Sequence, residues 1–259
     1  MPVDHDAPRG GFTPDQIEEF RRQSLLSDAY QSPFPGIRLF HRLRIAAILS
    51  LLREAAGKRS SLRFLEIGCG DGFLLEAVGR ERDDLLIWGL DLSLTALGRT
   101  RALRPQARLV KSDAARTPFP DGAFDLLLCS EVLEHHPDDA SLLQEIRRLL
   151  SPGGRAILTT PNLYTLRNRI RIVRGKKPLI EIREHLREYS LEELREKIAR
   201  AGIQIVRFTS VGFYLPRMHW FFRSALFCRF LFLLAHPFPR LGRDFIFLLR
   251  RGTEGGEGE

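Results

Sequence analysis

The stretch Leu65–Gly72, "LEIGCGDG", decides the fold. It sets Gly68, Gly70 and Gly72 between the apolar run "LRFLEI" and the helix-like "FLLEAVGRE". Glycines at a strand-to-helix turn let the backbone approach a ligand closely, and the helix start beyond favours a negative group. Asp91 closes the next apolar run, "LLIWGLD", at the spacing from which a carboxylate takes the ribose hydroxyls of a nucleoside. Asp113 ends a third short run, "ARLVKSD", where it can accept from an exocyclic amine. A dinucleotide loop would want a small residue at position 73, and Phe73 stands there. The loop therefore reads as a nucleoside site without a pyrophosphate, which disfavours an NAD-dependent oxidoreductase.

Working outward, short apolar runs alternate with helical segments, the pattern of a parallel sheet with crossover helices. "FDLLLCS" is a fourth strand, "PDDASLLQEIRRLL" a helix and "RAILTTPN" a fifth strand, preceded by a turn at "SPGG". "SLEELREKIARAG" is a helix closed by Gly202, and "IQIVRFTS" and "DFIFLLRR" are two further strands. Ligands of such sheets bind beyond the carboxyl ends of the strands, and Glu66, Asp91, Asp113 and an acidic cluster all fall there.

The chain has 259 residues, 44% hydrophobic and 28% charged, which are globular values. Its net charge is +8, and most of its 40 basic residues are arginine, so anionic partners or a solvated basic face are expected. Cys69, Cys129 and Cys228 are isolated, which argues against a disulfide framework and fits a reducing cytoplasm. No signal-peptide pattern opens the sequence, and "FLFLLAHPFP" is too short to span a bilayer. The first dozen residues and the tail 252–259 read as frayed.

The cluster is "CSEVLEHHPDD", Cys129–Asp139. If helical, Glu131, Glu134 and His135 share one face, and two carboxylates with an imidazole could hold Mg²⁺, Mn²⁺ or Fe²⁺ rather than structural zinc. Alternatively Glu131 or His135 acts as a metal-free catalytic group, or the cluster is structural. His136 is expected to be exposed, and Asp138 and Asp139 to cap the next helix.

Together, "FLEIGCGDGFLLEAV", Asp91, "KSDAARTPFPDGAFDLLLCSEVLEHHPD" and "EIRRLLSPGGRAILTTPN" resemble the successive motifs of class I S-adenosylmethionine-dependent methyltransferases. The resemblance implies a Rossmann-like α/β fold. Its seven-stranded sheet would be mostly parallel, with strand seven antiparallel between five and six and helices on both faces. It places Glu66, Gly68, Cys69, Gly70 and Gly72 around the methionine moiety and Asp91 with Leu92 on the ribose. Asp113 and Ala114 fall at the adenine, and Cys129 near the methionine amino group. The E-x-x-E-H spacing is similar to metal-dependent O-methyltransferases of ubiquinone biosynthesis and to small-RNA 2′-O-methyltransferases. That likeness implies His185, in "EHLREYSLEEL", as a fourth ligand beside Glu131, Glu134 and His135.

The family chooses its acceptor with variable segments. Residues 1–43 would form a helical lid, with helix candidates in "TPDQIEEFRRQSLL" and "RLFHRLRIAAILSLLREA", and residues 44–251 the catalytic domain. Within it, 163–184 is a basic insertion and 213–243 an aromatic and basic one, "FYLPRMHWFFRSALFCRFLFLLAHPFPRLGR". Such density of Phe, Trp and Arg suits a cap over a lipophilic acceptor, a membrane interface or a dimer contact. The expectation is O-methylation of a small or lipid-like acceptor, phosphate-bearing or isoprenoid, by a cytoplasmic protein with an anionic membrane surface as partner. An RNA-directed enzyme and a non-catalytic adaptor are the alternatives; no RNA-binding module is recognisable.

Overall fold

The computed structural model describes residues 35–180, 185–212 and 238–252. The helix expected at 13–26 and most of the aromatic insertion, 213–237, lie outside the described residues. The chain runs α1 (Pro35–Ala56), β1 (Arg63–Ile67), α2 (Phe73–Glu81), β2 (Leu86–Asp91), α3 (Leu94–Leu103), β3 (Arg108–Lys111) and β4 (Phe124–Ser130). A 3₁₀ turn (Leu133–His135), α4 (Asp139–Leu149), β5 (Leu150–Pro161), α5 (Leu166–Val173), α6 (Leu191–Arg200), β6 (Ile203–Val211) and β7 (Asp244–Arg251) follow. The seven strands form one sheet in the order β3-β2-β1-β4-β5-β7-β6, parallel except that β7 is antiparallel to both neighbours. The order reverses at β1/β4, the switch point where such sheets bind ligands.

The central strands are apolar almost throughout because both faces of the sheet are covered. Phe64, Leu126, Leu128, Ile246 and Leu248 pack under α1, α2 and α3. Leu65, Leu127, Cys129, Phe245 and Phe247 pack under α4 and α6. Helix starts carry local signals: the hydroxyls of Ser93, Thr165 and Ser190 and the carboxylate of Asp138 each accept from a first-turn N–H. The turn expected at "SPGG" is instead part of β5, whose pairing with β4 shifts register between Phe124 and Leu126 to absorb it.

The boundary expected between residues 43 and 44 falls inside α1. Phe40, Ile48, Leu51, Leu52 and Ala55 of this one helix are buried, so residues 35–43 belong to a helix packed on the sheet, and the rest of the expected lid, 1–34, lies outside the described residues. Pro35 opens it, where a missing N–H costs nothing. Among the described residues no helix is long and apolar enough to cross a membrane.

Candidate active site

The glycine loop leaves β1 at Glu66 and Ile67. Gly68, Gly70 and Gly72 have φ of 70°, 52° and 81°, in the left-handed region that favours glycine. Two of them are also packed against neighbours: a Cβ on Gly68 would collide with the Val132 side chain, and one on Gly72 would lie 2.7 Å from Thr100 Cγ2. At Gly70 a Cβ would meet nothing within 4 Å. The loop is therefore open at Gly70. The contrast is testable. Gly68→Ala should lose about 2–4 kcal/mol in thermal unfolding, from left-handed strain and overpacking. Gly70→Ala should lose only about 1 kcal/mol, yet weaken S-adenosylhomocysteine at least about tenfold in calorimetry, because the resemblance implies that its methyl would face the bound methionine end.

Asp91 fixes this loop. Its Oδ2 accepts from Gly70 N at 2.9 Å and its Oδ1 from Ser93 N at 2.8 Å. Burial raises its pKa, as it does that of Glu66, whose neighbour Asp91 adds repulsion. Glu66 is only 3% exposed and its Oε2 is buried without a hydrogen-bond partner. A buried acceptor left empty is costly, and here it lies beside an open glycine loop, so the residues fit a bound ligand that donates to it.

Leu92 is half-buried between Asp91 and the cap Ser93. Cys69 and Cys129 turn their side chains into the two core clusters, and burial raises both thiols, so only their backbones can face a ligand. Ala114 is likewise in the core by its side chain. Asp113 is half-buried: its Oδ1 accepts from Ala115 N at 2.8 Å and pairs with His136 Nε2 at 3.0 Å. The His136 bond, foremost, holds this carboxyl below its ordinary range. Oδ2 makes no hydrogen bond among the described residues. His136 is thus not exposed as expected. It is 4% exposed, with its Nδ1 2.7 Å from Asp138 O, because the turn after β4 folds back toward the β3 loop.

The cluster after β4 is not one helical face either. Glu131 has φ 56°, strained for a residue with a side chain, and only a 3₁₀ turn follows. The carboxylates of Glu131 and Glu134 are held by different partners. Arg44 of α1 binds Glu131 Oε2 at 2.9 Å, and Thr159 donates to Glu131 Oε1 at 2.8 Å. Arg44 also binds Asp244 Oδ2 at 3.1 Å. Sheet register explains the meeting: Ser130 pairs with Thr159, and antiparallel β7 brings Asp244 beside Pro161 at the carboxyl edge. Burial, then Glu131, raises Asp244 to about 6, with Arg44 opposing.

Glu134 is fully buried. Its Oε2 accepts from Thr160 at 3.1 Å, while Oε1 has no partner; burial, then Glu131, raises its pKa. Its neighbours are His135 and His185, whose rings meet edge to face at 4.8 Å. One ligand atom from each of Glu134, His135 and His185 lies within 4.8 Å of the others, a geometry Glu131 does not join. His185 Nδ1 is 3.2 Å from the Glu188 carboxylate, and Leu186 N donates to Glu134 O at 3.0 Å, which ties the segment down.

Of the two expected caps, Asp138 caps α4 through Ser141 N at 3.0 Å. Asp139 is instead buried under Tyr189, Arg187 and Lys197 at 2.8–3.0 Å. Sequence reasoning passed over Arg44, Asp244, Thr159, Thr160 and Glu188. Arg44 did leave a signal, being a cation on the apolar stripe Phe40, Ile48, Leu51 and Leu52.

The family profile described as "Methyltransferase domain" matches residues 65–158, the span from the glycine loop to β5. The ubiquinone biosynthesis O-methyltransferase of Acinetobacter baylyi is 28% identical over 155 residues, 58% of this chain and 63% of that protein. That of Leptothrix cholodnii is 30% identical over 155 residues, 56% and 63% of the two chains. The chain thus spans under two thirds of these relatives' length. The magnesium protoporphyrin IX methyltransferase of Synechocystis PCC 6803, solved with bound SAH, shares the fold with TM-score 0.60 and 17% identity, covering 93% of this chain and 96% of that one. The match thus falls on the segment whose glycine turn, strand-end acids and kinked Glu131 build the site, and it makes residues 65–158 a methyltransferase domain, similar to those of S-adenosylmethionine-dependent enzymes.

Proposed function

We propose that the chain methylates a hydroxyl oxygen of a small, hydrophobic or lipid-like acceptor bound beside Glu131. The observation that carries this is the strained Glu131 carboxylate, held between Arg44 and Thr159 one residue before Val132, whose side chain abuts Gly68 of the cofactor loop. A base on a rigid turn next to the cofactor loop is what transfer to oxygen needs. S-adenosylmethionine, when bound, supplies an electrophilic methyl group.

Asp91 would take the ribose hydroxyls, Asp113 Oδ2 the adenine amine, and Glu66 with the Gly68–Gly70 backbone the methionine end. Glu131 would accept the proton of the acceptor hydroxyl, with His135 as the neighbouring alternative. The relatives named as ubiquinone biosynthesis O-methyltransferases support an oxygen atom and a largely apolar acceptor. The aromatic composition of 213–243 supports the same class, and such an acceptor would be drawn from a membrane surface. The test is transfer of labelled methyl to a panel of alkylated phenols. Glu131→Gln should slow turnover about 100-fold or more while leaving S-adenosylhomocysteine affinity unchanged. Parent-like turnover would overturn the assignment.

A second reading adds a divalent ion on Glu134, His135 and His185. The buried, unpartnered Glu134 Oε1 beside two imidazoles favours it, and Glu188 would orient His185. Without Glu131 the donor set is nitrogen-rich, which suits Fe²⁺, Mn²⁺ or Zn²⁺ above Mg²⁺. An ion would also turn the Glu134 carboxyl into a carboxylate. Calorimetry with each metal decides: binding lost in Glu134→Ala supports it, and no binding by the parent rejects it.

A further inference from the structure

Beyond β5 the chain builds a projecting tip. Residues 163–180 carry Arg167, Arg169, Arg171, Arg174, Lys176 and Lys177 and no acid. The tip is not a frayed helix end. Gly175, at φ 69°, closes α5: its N–H donates to Ile172 O at 2.8 Å and that of Lys176 to Arg171 O at 2.9 Å. This double closure is the Schellman arrangement, which normally comes with an apolar staple across the turn. Here the two staple positions are Arg171 and Lys176, so the apolar residues are released from that duty. The buried amide of Asn168 then clips the returning chain, donating to Leu179 O at 2.9 Å and accepting from Leu179 N at 3.0 Å.

The result is a fixed loop that holds apolar side chains in water. Val173 is 88% exposed, and Ile172, Ile180 and Leu179 are 42%, 45% and 36% exposed. Leu186, in the neighbouring segment bonded to Glu134 O, is 49% exposed. Four exposed aliphatic side chains interspersed with six cations over residues 167–180 are unusual for a merely solvated surface. The tip also stands on the carboxyl edge of the sheet, reached from Thr160, the partner of Glu134, within a few residues.

We propose that this tip docks the protein on an anionic phospholipid bilayer, with Ile172, Val173, Leu179 and Ile180 entering the interface and the six cations meeting lipid phosphates. Charge complementarity selects the lipid class, because a cation near an anionic leaflet gains attraction that a neutral leaflet does not give. The aliphatic character separates a bilayer from RNA, which is bound by stacking on aromatic or guanidinium planes and gains nothing from Val173. Docking there turns the mouth of the site toward the lipid. The inference extends the reading of a hydrophobic acceptor, and its test does not depend on turnover.

The full chain is sedimented with phosphatidylcholine vesicles, with or without phosphatidylglycerol. Binding is expected to require the anionic lipid and to fall steeply with added salt. The triple variant Arg174→Glu, Lys176→Glu, Lys177→Glu should weaken it by about 100-fold or more. Val173→Asp should weaken it about tenfold, whereas Lys58→Glu with Arg80→Glu, on the amino edge, should not. Calorimetry with S-adenosylhomocysteine shows that each variant is folded and keeps its cofactor site, so loss of docking and loss of methyltransferase function are read separately. Equal binding to neutral vesicles, or parent-like binding by the tip variants, overturns the proposal. So does tighter binding to single-stranded RNA that Val173→Asp leaves intact, or a dimer that Val173→Asp dissolves without changing vesicle binding.

Discussion

Asp91→Ala is expected to weaken S-adenosylhomocysteine by about 100-fold or more in calorimetry, the largest loss of ligand affinity from any single change in this site. In the proposed pose Asp91 accepts from two ribose hydroxyls, and each such hydrogen bond to a carboxylate contributes roughly 1.5–3 kcal/mol. The loss is also indirect. Asp91 already accepts from Gly70 N at 2.9 Å and Ser93 N at 2.8 Å, so its removal frees the glycine loop and the entry to α3 together. Asp91→Asn should be nearly as severe despite its equal size. Both carboxylate oxygens accept from backbone N–H groups, so an amide nitrogen must face a donor whichever way it turns. Because burial raises the Asp91 pKa, affinity should also fall on acidification sooner than for an exposed aspartate. Parent-like affinity in Asp91→Ala would put the nucleoside elsewhere.

The parts of this site that were readable from sequence are those whose meaning is local. The glycine turn, and the acids that end β1, β2 and β3, lie at fixed spacings from apolar runs, and strand ends share one edge by topology. The cluster after β4 was legible in composition but misread in shape. Equal spacing suggested a helical face, whereas Glu131 at φ 56° breaks the helix and splits the two carboxylates between different partners. His136 is buried by Asp113, 23 residues away, a contact that no periodicity announces. Arg44 and Asp244 lie 200 residues apart, and they meet only because β7 returns antiparallel beside β5. Such a pair becomes visible once tertiary topology is known, although a lone cation on the buried stripe of α1 hints that a buried anion is waiting for it.

Removing that cation should produce the largest loss of stability, and the loss should depend on pH. Arg44 is 8% exposed and is the counter-charge for Glu131 at 2.9 Å and Asp244 at 3.1 Å, with Glu134 repelling from behind. Breaking a buried pair leaves an uncompensated charge, so Arg44→Met should cost roughly 3–5 kcal/mol in urea unfolding at neutral or higher pH. The sign with pH follows from Asp244, whose folded pKa of about 6 lies above its ordinary 3.8. A carboxyl raised in this way stabilises the fold below its ordinary value and loses that contribution as pH rises through the folded one. Without Arg44, which lowers the Asp244 pKa, the folded value climbs further and the window of loss extends upward. The gap between parent and Arg44→Met should therefore be small at about pH 4 and full by about pH 8. Adding Asp244→Asn to Arg44→Met should recover part of the loss at the higher pH, because one bare acid is gone. A gap that is equal at both pH values, or no recovery in the double variant, would mean that Arg44 acts by packing on Phe40 and not as the charge that holds Glu131 and Asp244 together.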